Sequence, residues 1–479
     1  MHTGEALQRV GELRNTYRSA TAALPWLDAC RDEDDPPAFP TYATDLRLPA
    51  VPRALAGTAL PSSGPLLAAY APQCGPLETV AADCARTRTP LVIRHTDIDL
   101  PRLGDLAQAH PALPLVIESG PLKLLYHIAV LERLLQANPN LWLCTYNLCN
   151  WLGLERLCAA GVGHRLLFGT HGPRYDAHVS MAPVALAQLT WDQKCDLAGN
   201  NLRRLLGLSA VSAPQPSAAT CDAPAAFIID SHGHNGPPGK FPTPDEHFAP
   251  ADWLRFMDGC AIERLYLTPM AAIDDPAGSS RQATSALLEA APDRFRYYAV
   301  FHPGGDVERL GAEVDNPLCA GIKIHPSMHG VPADSPAYRP AFELSARVGK
   351  PVLTHSWENS PTNPTQHLSH PKRFEVHLRA CPGARLILGH AGGRPSTAET
   401  VADLCRRYPQ VVVDLAGDYF DSGLVAMLCD RIGPRRVLFA SDMNWIDPRC
   451  LLGAVLGSRL SDDAVLGCLR GNALSFFGQ

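Results

Sequence analysis

Between residues 321 and 442, four apolar runs each stop at a residue able to bind a metal or move a proton, and this recurrence constrains the fold more than any other feature. The runs are Gly321-Ile322-Lys323-Ile324-His325-Pro326, Pro351-Val352-Leu353-Thr354-His355, Arg385-Leu386-Ile387-Leu388-Gly389-His390-Ala391-Gly392-Gly393 and Arg436-Val437-Leu438-Phe439-Ala440-Ser441-Asp442. Each reads as a short, buried strand. Segments 341–347 and 397–404 lie between them and are apolar at helical spacing, as crossover helices are. Strand and helix therefore alternate, which implies a parallel sheet. Reactive residues at the carboxyl ends of successive strands point to a closed (β/α)8 TIM barrel rather than an open sheet.

A fifth run, Phe227-Ile228-Ile229-Asp230-Ser231-His232-Gly233-His234, precedes these and leads into a Pro/Gly loop. Side chains at i and i+2 of a strand share a face, so His232 and His234 can converge on one ion. In a closed cylinder the last strand lies beside the first, which sets Asp442 next to this pair. His355, from the fifth strand, can complete the set. Imidazole and carboxylate together suit a divalent ion, Zn²⁺ first, with Mn²⁺ or another divalent ion as the alternative.

In combination, these motifs and the closing Gly471-Asn472-Ala473 resemble the amidohydrolase superfamily from Ile229 to Phe477. The branch resembled includes aminocarboxymuconate semialdehyde decarboxylase and uncharacterised metal-dependent hydrolases. The resemblance implies that His232, His234, His355 and Asp442 hold one metal ion and that His390 is the catalytic acid/base. In two-metal members a carbamylated lysine bridges the ions. Lys323 precedes His325 by two positions and the branch resembled is usually mononuclear, so a single ion is expected.

Substrate contacts are expected from residues that follow strand ends or the first loop: Lys240, Lys323, Trp357, Arg394 and Trp445, with His325 as a hydrogen-bonding wall. Cationic groups there suit an acidic substrate, and indoles can stack on a planar one. The plainer alternative for each is surface or packing. His247, His302 and His329 are read only as pocket walls.

The first half repeats the order of the second. Pro90 to His95 matches Pro351 to His355, Leu115 to Ser119 matches the run ending Gly389-His390, Arg165 to His171 matches Arg436 to Asp442, and Gly199-Asn200-Asn201 matches Gly471-Asn472-Ala473. The offsets stay at about 260 to 272 residues, which points to internal duplication. The ligands do not recur: Ser119 stands for His390, His171 for Asp442, and no HxH occurs before residue 90, so that His95 alone keeps a ligand position. Residues 1–208 are therefore expected to form a trimmed, non-catalytic barrel-like α/β domain. Residues 209–224, small and Pro-containing, read as a linker, and 225–479 as the catalytic barrel. A trimmed barrel leaves edges and apolar faces to cover, so the amino half is expected to pack on the catalytic half as a fused pseudo-dimer, with a homo-oligomer as a further option.

A net charge of -6 without a basic run argues against a nucleic-acid partner. No apolar run reaches the ~18 residues that span a bilayer, and the start lacks a signal peptide. A cytosolic protein is expected, with its 15 cysteines reduced and mostly buried.

The function expected from these residues is hydrolysis of a small amide, lactone or ester by metal-activated water, with proton transfer shared between His390 and Asp442. A non-oxidative decarboxylase of a small carboxylic acid would use the same site. A third reading, from another class, is a binding or scaffold protein without chemistry. The intact set of five residues argues against it.

Overall fold

The computed structural model describes residues 3–478 apart from 33, 44, 45, 47, 57–65, 120–123, 217–224, 238, 240, 361 and 362. Lys240 and the second half of the expected linker thus lie outside the described residues. The chain forms two compact units, Thr16–Asp222 and Met1–Asn15 with Ala223–Gln479.

In the amino-terminal unit six short strands, β1 (Arg53–Leu55), β2 (Leu67–Ala69), β3 (Leu91–Arg94), β4 (Leu115–Glu118), β5 (Leu141–Cys144) and β6 (Leu166–Leu167), form one parallel sheet in sequence order. Residues 28–30 run between its two edges. Asp28 bridges Ala50 on one side, and the Ala29 N–H donates to the Phe168 carbonyl at 2.9 Å on the other. The result is a trimmed α/β barrel, with six strands where a full one has eight. Residues 209–216 have no regular structure but are tied down: the Val211 N–H donates to Asn200 Oδ1 at 2.9 Å, and Trp191 Nε1 donates to the Ala213 carbonyl at 2.8 Å.

The second unit holds eight parallel strands in sequence order: β7 (Ile228–Asn235), β8 (Ile262–Pro269), β9 (Phe295–Val300), β10 (Cys319–Ile324), β11 (Val352–His355), β12 (Leu386–Gly389), β13 (Val411–Asp414) and β14 (Val437–Leu438). The chain just after β14 closes the cylinder against β7. The Ser231 N–H donates to Phe439 O (3.1 Å), Asp442 N–H to His232 O (2.8 Å) and His234 N–H to Met443 O (2.7 Å). This is the expected TIM barrel.

One residue from each strand fills the lower interior: Ile229, Tyr266, Tyr298, Ala320, Leu353, Ile387, Val412 and Leu438. Leu474, Phe476 and Phe477, from the helix Asn472–Phe477, pack against this layer. Burying side chains of this size contributes roughly 1.5–3 kcal/mol each. The layer is thus a rigid floor, and whatever stands above it faces the carboxyl ends of the strands.

The crossover helices form for local reasons. Arg339–Val348 starts on a Pro in its first turn and ends at Gly349, whose φ of 74° allows its N–H to close on the Ser345 carbonyl at 2.8 Å. Ala398–Arg407 buries Val401, Ala402, Leu404 and Cys405 along one stripe, and Arg406 and Arg407 occupy its last turn, where the helix dipole favours cations.

Candidate metal centre

Period-two counting from the floor would send Ser231 and Gly233 inward, because Ile229 faces the interior. A register shift between Asp230 and Gly233, where β7 pairs with β8, changes the parity. This bulge turns His232 and His234 toward the site. Asp230 fixes it: its fully buried carboxylate accepts from the Ser441 N–H (3.0 Å), the Ser441 hydroxyl (2.5 Å) and the His232 N–H (3.3 Å). A second shift, between Cys319 and Gly321, falls at the floor residue Ala320, three residues before Lys323 in the site.

One nitrogen of each His232, His234 and one oxygen of Asp442 lie within 4.8 Å of one another. Their outer atoms are already engaged. His232 Nδ1 stands 2.9 Å from Asp414 Oδ2, and His234 Nδ1 stands 3.0 Å from the Thr268 carbonyl. Both imidazoles therefore carry their proton on Nδ1 and turn an Nε2 lone pair inward. His234 Nε2 then faces Asp442 Oδ1 at 3.1 Å, and His232 Nε2 faces the same oxygen at 3.9 Å. Converging lone pairs repel unless a cation sits among them, and this donor set fits a divalent ion. Burial works to raise the Asp442 carboxyl, but its contact with His234 and the nearby His390 and His232 imidazoles outweigh it and hold it well below the usual range.

Lys323 is fully buried, with Nζ 2.7 Å from His232 Nε2, and burial pushes its pKa down to about 8. His390 directly follows β12, with φ at 63°, and Asp442 shares that left-handed value. Such backbone costs on the order of 1–3 kcal/mol in a non-glycine residue and is retained where the surroundings demand it. His390 Nδ1 donates to the Ala416 carbonyl at 3.0 Å, which leaves Nε2 as a base, and burial pushes the ring down to about 4. Gly389, in the interior beside it, leaves room: a Cβ there would overlap the Thr354 carbonyl and come within 3.3 Å of the His232 ring.

His355 lies outside the group of three. Its Nδ1 is 2.9 Å from His390 Nε2, and its Nε2 is 2.7 Å from the Gln366 side chain. The ring stacks between partners, with the His325 centroid at 4.3 Å and the Trp357 centroid at 5.6 Å. Arg394 lies over Trp357 at 4.7 Å, so that indole is engaged by protein groups. His325 Nδ1 accepts from the Met328 N–H at 3.2 Å, and Trp445 donates to Met270 Sδ at 3.5 Å.

Sequence reasoning passed over two residues at strand ends. Asp414 ends the run Val411-Val412-Val413-Asp414, the same signal that marked the other strands. It accepts from the His390 N–H at 2.7 Å as well as holding His232, so it joins metal ligand to acid/base. Thr268, near the end of β8, has a buried hydroxyl with no partner among the described residues.

The amino-terminal unit repeats the scaffold of this site without its ligands. The Asp28 carboxylate accepts from the Thr170 N–H (3.2 Å), the Thr170 hydroxyl and the Cys30 N–H (2.9 Å), as Asp230 does from Ser441 and His232. His171 follows with φ of 50°, close to that of Asp442. Asn201 Nδ2 donates to the Gly163 and Leu166 carbonyls, and Asn472 Nδ2 to those of Pro434 and Val437. Cys30 and Asp32 thus stand where the second unit has His232 and His234. The expected survivor, His95, gives way to Arg94: Arg94 pairs with Glu118 in register as His355 pairs with Gly389.

A closed parallel barrel that gathers two imidazoles and a carboxylate above its floor defines a metal-site (β/α)8 protein. The amidohydrolase family model matches residues 229–479, just over half of the chain, and the chain belongs to that family. No curated protein matches it. Among solved structures, dihydroxybenzoic acid decarboxylase from Polaromonas sp. JS666, with bound manganese and 2-nitroresorcinol, is 17% identical over 53% of this chain and 97% of its own, at a TM-score of 0.42. An uncharacterized TIM-barrel protein from Bordetella bronchiseptica is 18% identical over 53% and 99%, at 0.41. For 5-carboxyvanillate decarboxylase from Sphingomonas paucimobilis the values are 16%, 47% and 82%, at 0.37. No helix among the described residues is long and apolar enough to cross a membrane.

Proposed function

We propose that the carboxyl-terminal barrel is a metal-dependent enzyme that acts on a small carboxylic acid and releases its carboxylate as CO2. One observation carries this reading: Lys323 buries an ammonium 2.7 Å from the His232 Nε2 that the ion would take, so that with the ion bound it needs another acceptor, and it forms no ion pair among the described residues. At a pKa of about 8 it is mostly charged near pH 7. Asp442 and Asp414 act on it from beyond ion-pair distance, and a substrate carboxylate would supply a direct partner, which a neutral ester or amide could not.

His232, His234 and Asp442 would hold one divalent ion, and Zn²⁺ and Mn²⁺ both accept such donors. When bound, the ion supplies Lewis acidity beside the scissile bond. As CO2 leaves, the electron pair of the C–C bond stays on the substrate carbon, which takes up one proton. His390 is neutral near pH 7, and its proton-accepting atom is Nε2, which His355 Nδ1 holds in place at 2.9 Å. It can take a proton from an acidic group of the substrate and return it to that carbon. Asp414 positions His390 through the backbone, and Arg394, stacked over Trp357, would meet a second anionic group.

Hydrolysis, the expectation from sequence, is the second reading. The deprotonated state of Asp442 favours it, because a carboxylate there can take a proton from water. The two readings separate in one experiment, in which metal-loaded enzyme meets a panel of aromatic and aliphatic carboxylic acids and a matched panel of esters, lactones and amides. Decarboxylation in D2O should leave deuterium on the former carboxyl-bearing carbon. His390→Asn should keep its ion and lose roughly 10²- to 10⁴-fold in turnover. Turnover of the second panel alone replaces decarboxylation by hydrolysis. A protein that binds no divalent ion would revive the scaffold reading.

We read the two units as duplicates of one ancestral barrel, the first without catalytic function. The matched Asp28 and Asp230 anchors, the His171 and Asp442 backbone and the Asn201 and Asn472 caps support this. Expression of residues 222–479 alone tests whether catalysis depends on the first unit.

A further inference from the structure

The amino-terminal unit has a pocket of about 550 Å³ at the carboxyl ends of its strands. Arg31, Asp32, Arg53, Tyr70, Arg94 and Glu118 are among the residues that line it. The size falls in the range of small-molecule sites, and the crevice beyond the carboxyl ends of parallel strands is where such sheets bind ligands.

Its lining holds three arginines, Arg31, Arg53 and Arg94, against Asp32, Asp34 and Glu118, but two of the arginines turn to the same carboxylate. Glu118 is almost fully buried and is shared by two guanidinium groups: Arg53 Nη2 stands 3.0 Å from Oε2, and Arg94 Nε stands 3.7 Å from Oε1. One carboxylate cannot neutralise both. Neither approach satisfies the donors, since Arg53 Nε is buried without a hydrogen-bond partner among the described residues and Glu118 Oε2 likewise accepts none. A buried guanidinium nitrogen left in this state calls for an acceptor that the protein does not provide. Two guanidinium forks side by side match the oxygens of a planar or tetrahedral oxyanion.

This pocket adjoins the positions that correspond to the second unit's site. Arg94 stands in register where the second unit has His355, and Asp32 stands where it has His234. Where the second unit presents an imidazole, this one presents a guanidinium group. We propose that the amino-terminal unit binds a small molecule through a carboxylate or phosphate group, held by Arg53 and Arg94. Asp32, on the rim, would meet a hydroxyl or amino group of the same molecule.

The test uses thermal unfolding of the full chain titrated with sodium phosphate or sodium succinate, against sodium chloride at matched ionic strength. We expect a saturable rise of the unfolding midpoint with at least one probe. Phosphate alone would assign a phosphate ligand, and succinate alone a carboxylate. Arg94 is half exposed, so Arg94→Gln should leave the unliganded midpoint unchanged and weaken half-saturation at least tenfold. His234→Ala, which damages only the other site, should leave the response intact. The proposal is overturned if neither probe exceeds chloride, if the response survives Arg94→Gln, or if it disappears in His234→Ala.

Discussion

Asp414 Oδ2 lies 2.9 Å from His232 Nδ1, and both side chains are completely buried. The carboxylate fixes the tautomer that turns the His232 lone pair inward. Burial pushes the Asp414 carboxyl up to about 6, and a bound divalent ion would favour its charged form through the imidazole. Asp414→Asn keeps the size and loses the charge. We expect metal affinity to fall about 10- to 100-fold, with the unfolding midpoint of the metal-free protein unchanged or raised. Competition with a chelator of known affinity measures the first, and calorimetry the second. Unaltered affinity would remove Asp414 from the site.

His232 and His355 should respond differently to loss of the imidazole. His232 belongs to the converging group of three, whereas His355 reaches His390 at 2.9 Å and Gln366 at 2.7 Å. His232→Ala should bind no ion at micromolar concentrations. For His355→Ala the expected outcome is a weakened ion together with low turnover, since this change also frees His390. Elemental analysis after gel filtration distinguishes the two, and equal metal loss in both variants would place His355 on a par with His232.

A third prediction concerns stability against pH. Glu375 accepts from Arg407, from Arg379 Nη2 at 2.6 Å and from the Tyr408 hydroxyl at 3.1 Å. The Arg407 contact first, and the others after it, hold its pKa down at about 2 against an ordinary 4.5. A lowered folded-state pKa stabilises the protein above the unfolded value, and the stabilisation is lost as pH falls toward the folded one. Because the arginines are well exposed, screening reduces the effect to about 1 kcal/mol. Glu375→Gln should therefore lower the urea midpoint at pH 7, and the gap to wild type should shrink by more than half at pH 3. A gap independent of pH would mean that packing, not charge, accounts for it.

Much of the barrel was legible in the sequence because its strands are local objects. Val352-Leu353-Thr354-His355 and Arg436 to Asp442 announce themselves by apolar runs that end on a polar group, and period and length suffice to read them. Asp414 carried the same mark and was passed over because its partner His232 lies 182 residues away. The i, i+2 spacing put His232 and His234 on one face of their strand, but it could not say which face, because strict alternation from the floor residue Ile229 would turn both outward. The bulge held by Asp230 and Ser441 turns them inward. In the amino half, Asp28-Ala29-Cys30-Arg31-Asp32 carries no metal signature, so its match to the HxH segment emerged only from shared hydrogen bonds.

The amino-acid sequence by itself determined the alternation of strand and helix, the parallel sheet and the residues able to bind a cation, because these follow from periodicity and side-chain chemistry within a few neighbours. Tertiary structure alone decided which lone pairs converge, which imidazole stacks instead of joining them, and that Arg94 takes the register position in its sheet that His355 takes in the other. Those outcomes depend on register shifts and on hydrogen bonds between residues far apart in the chain, and no local pattern encodes them.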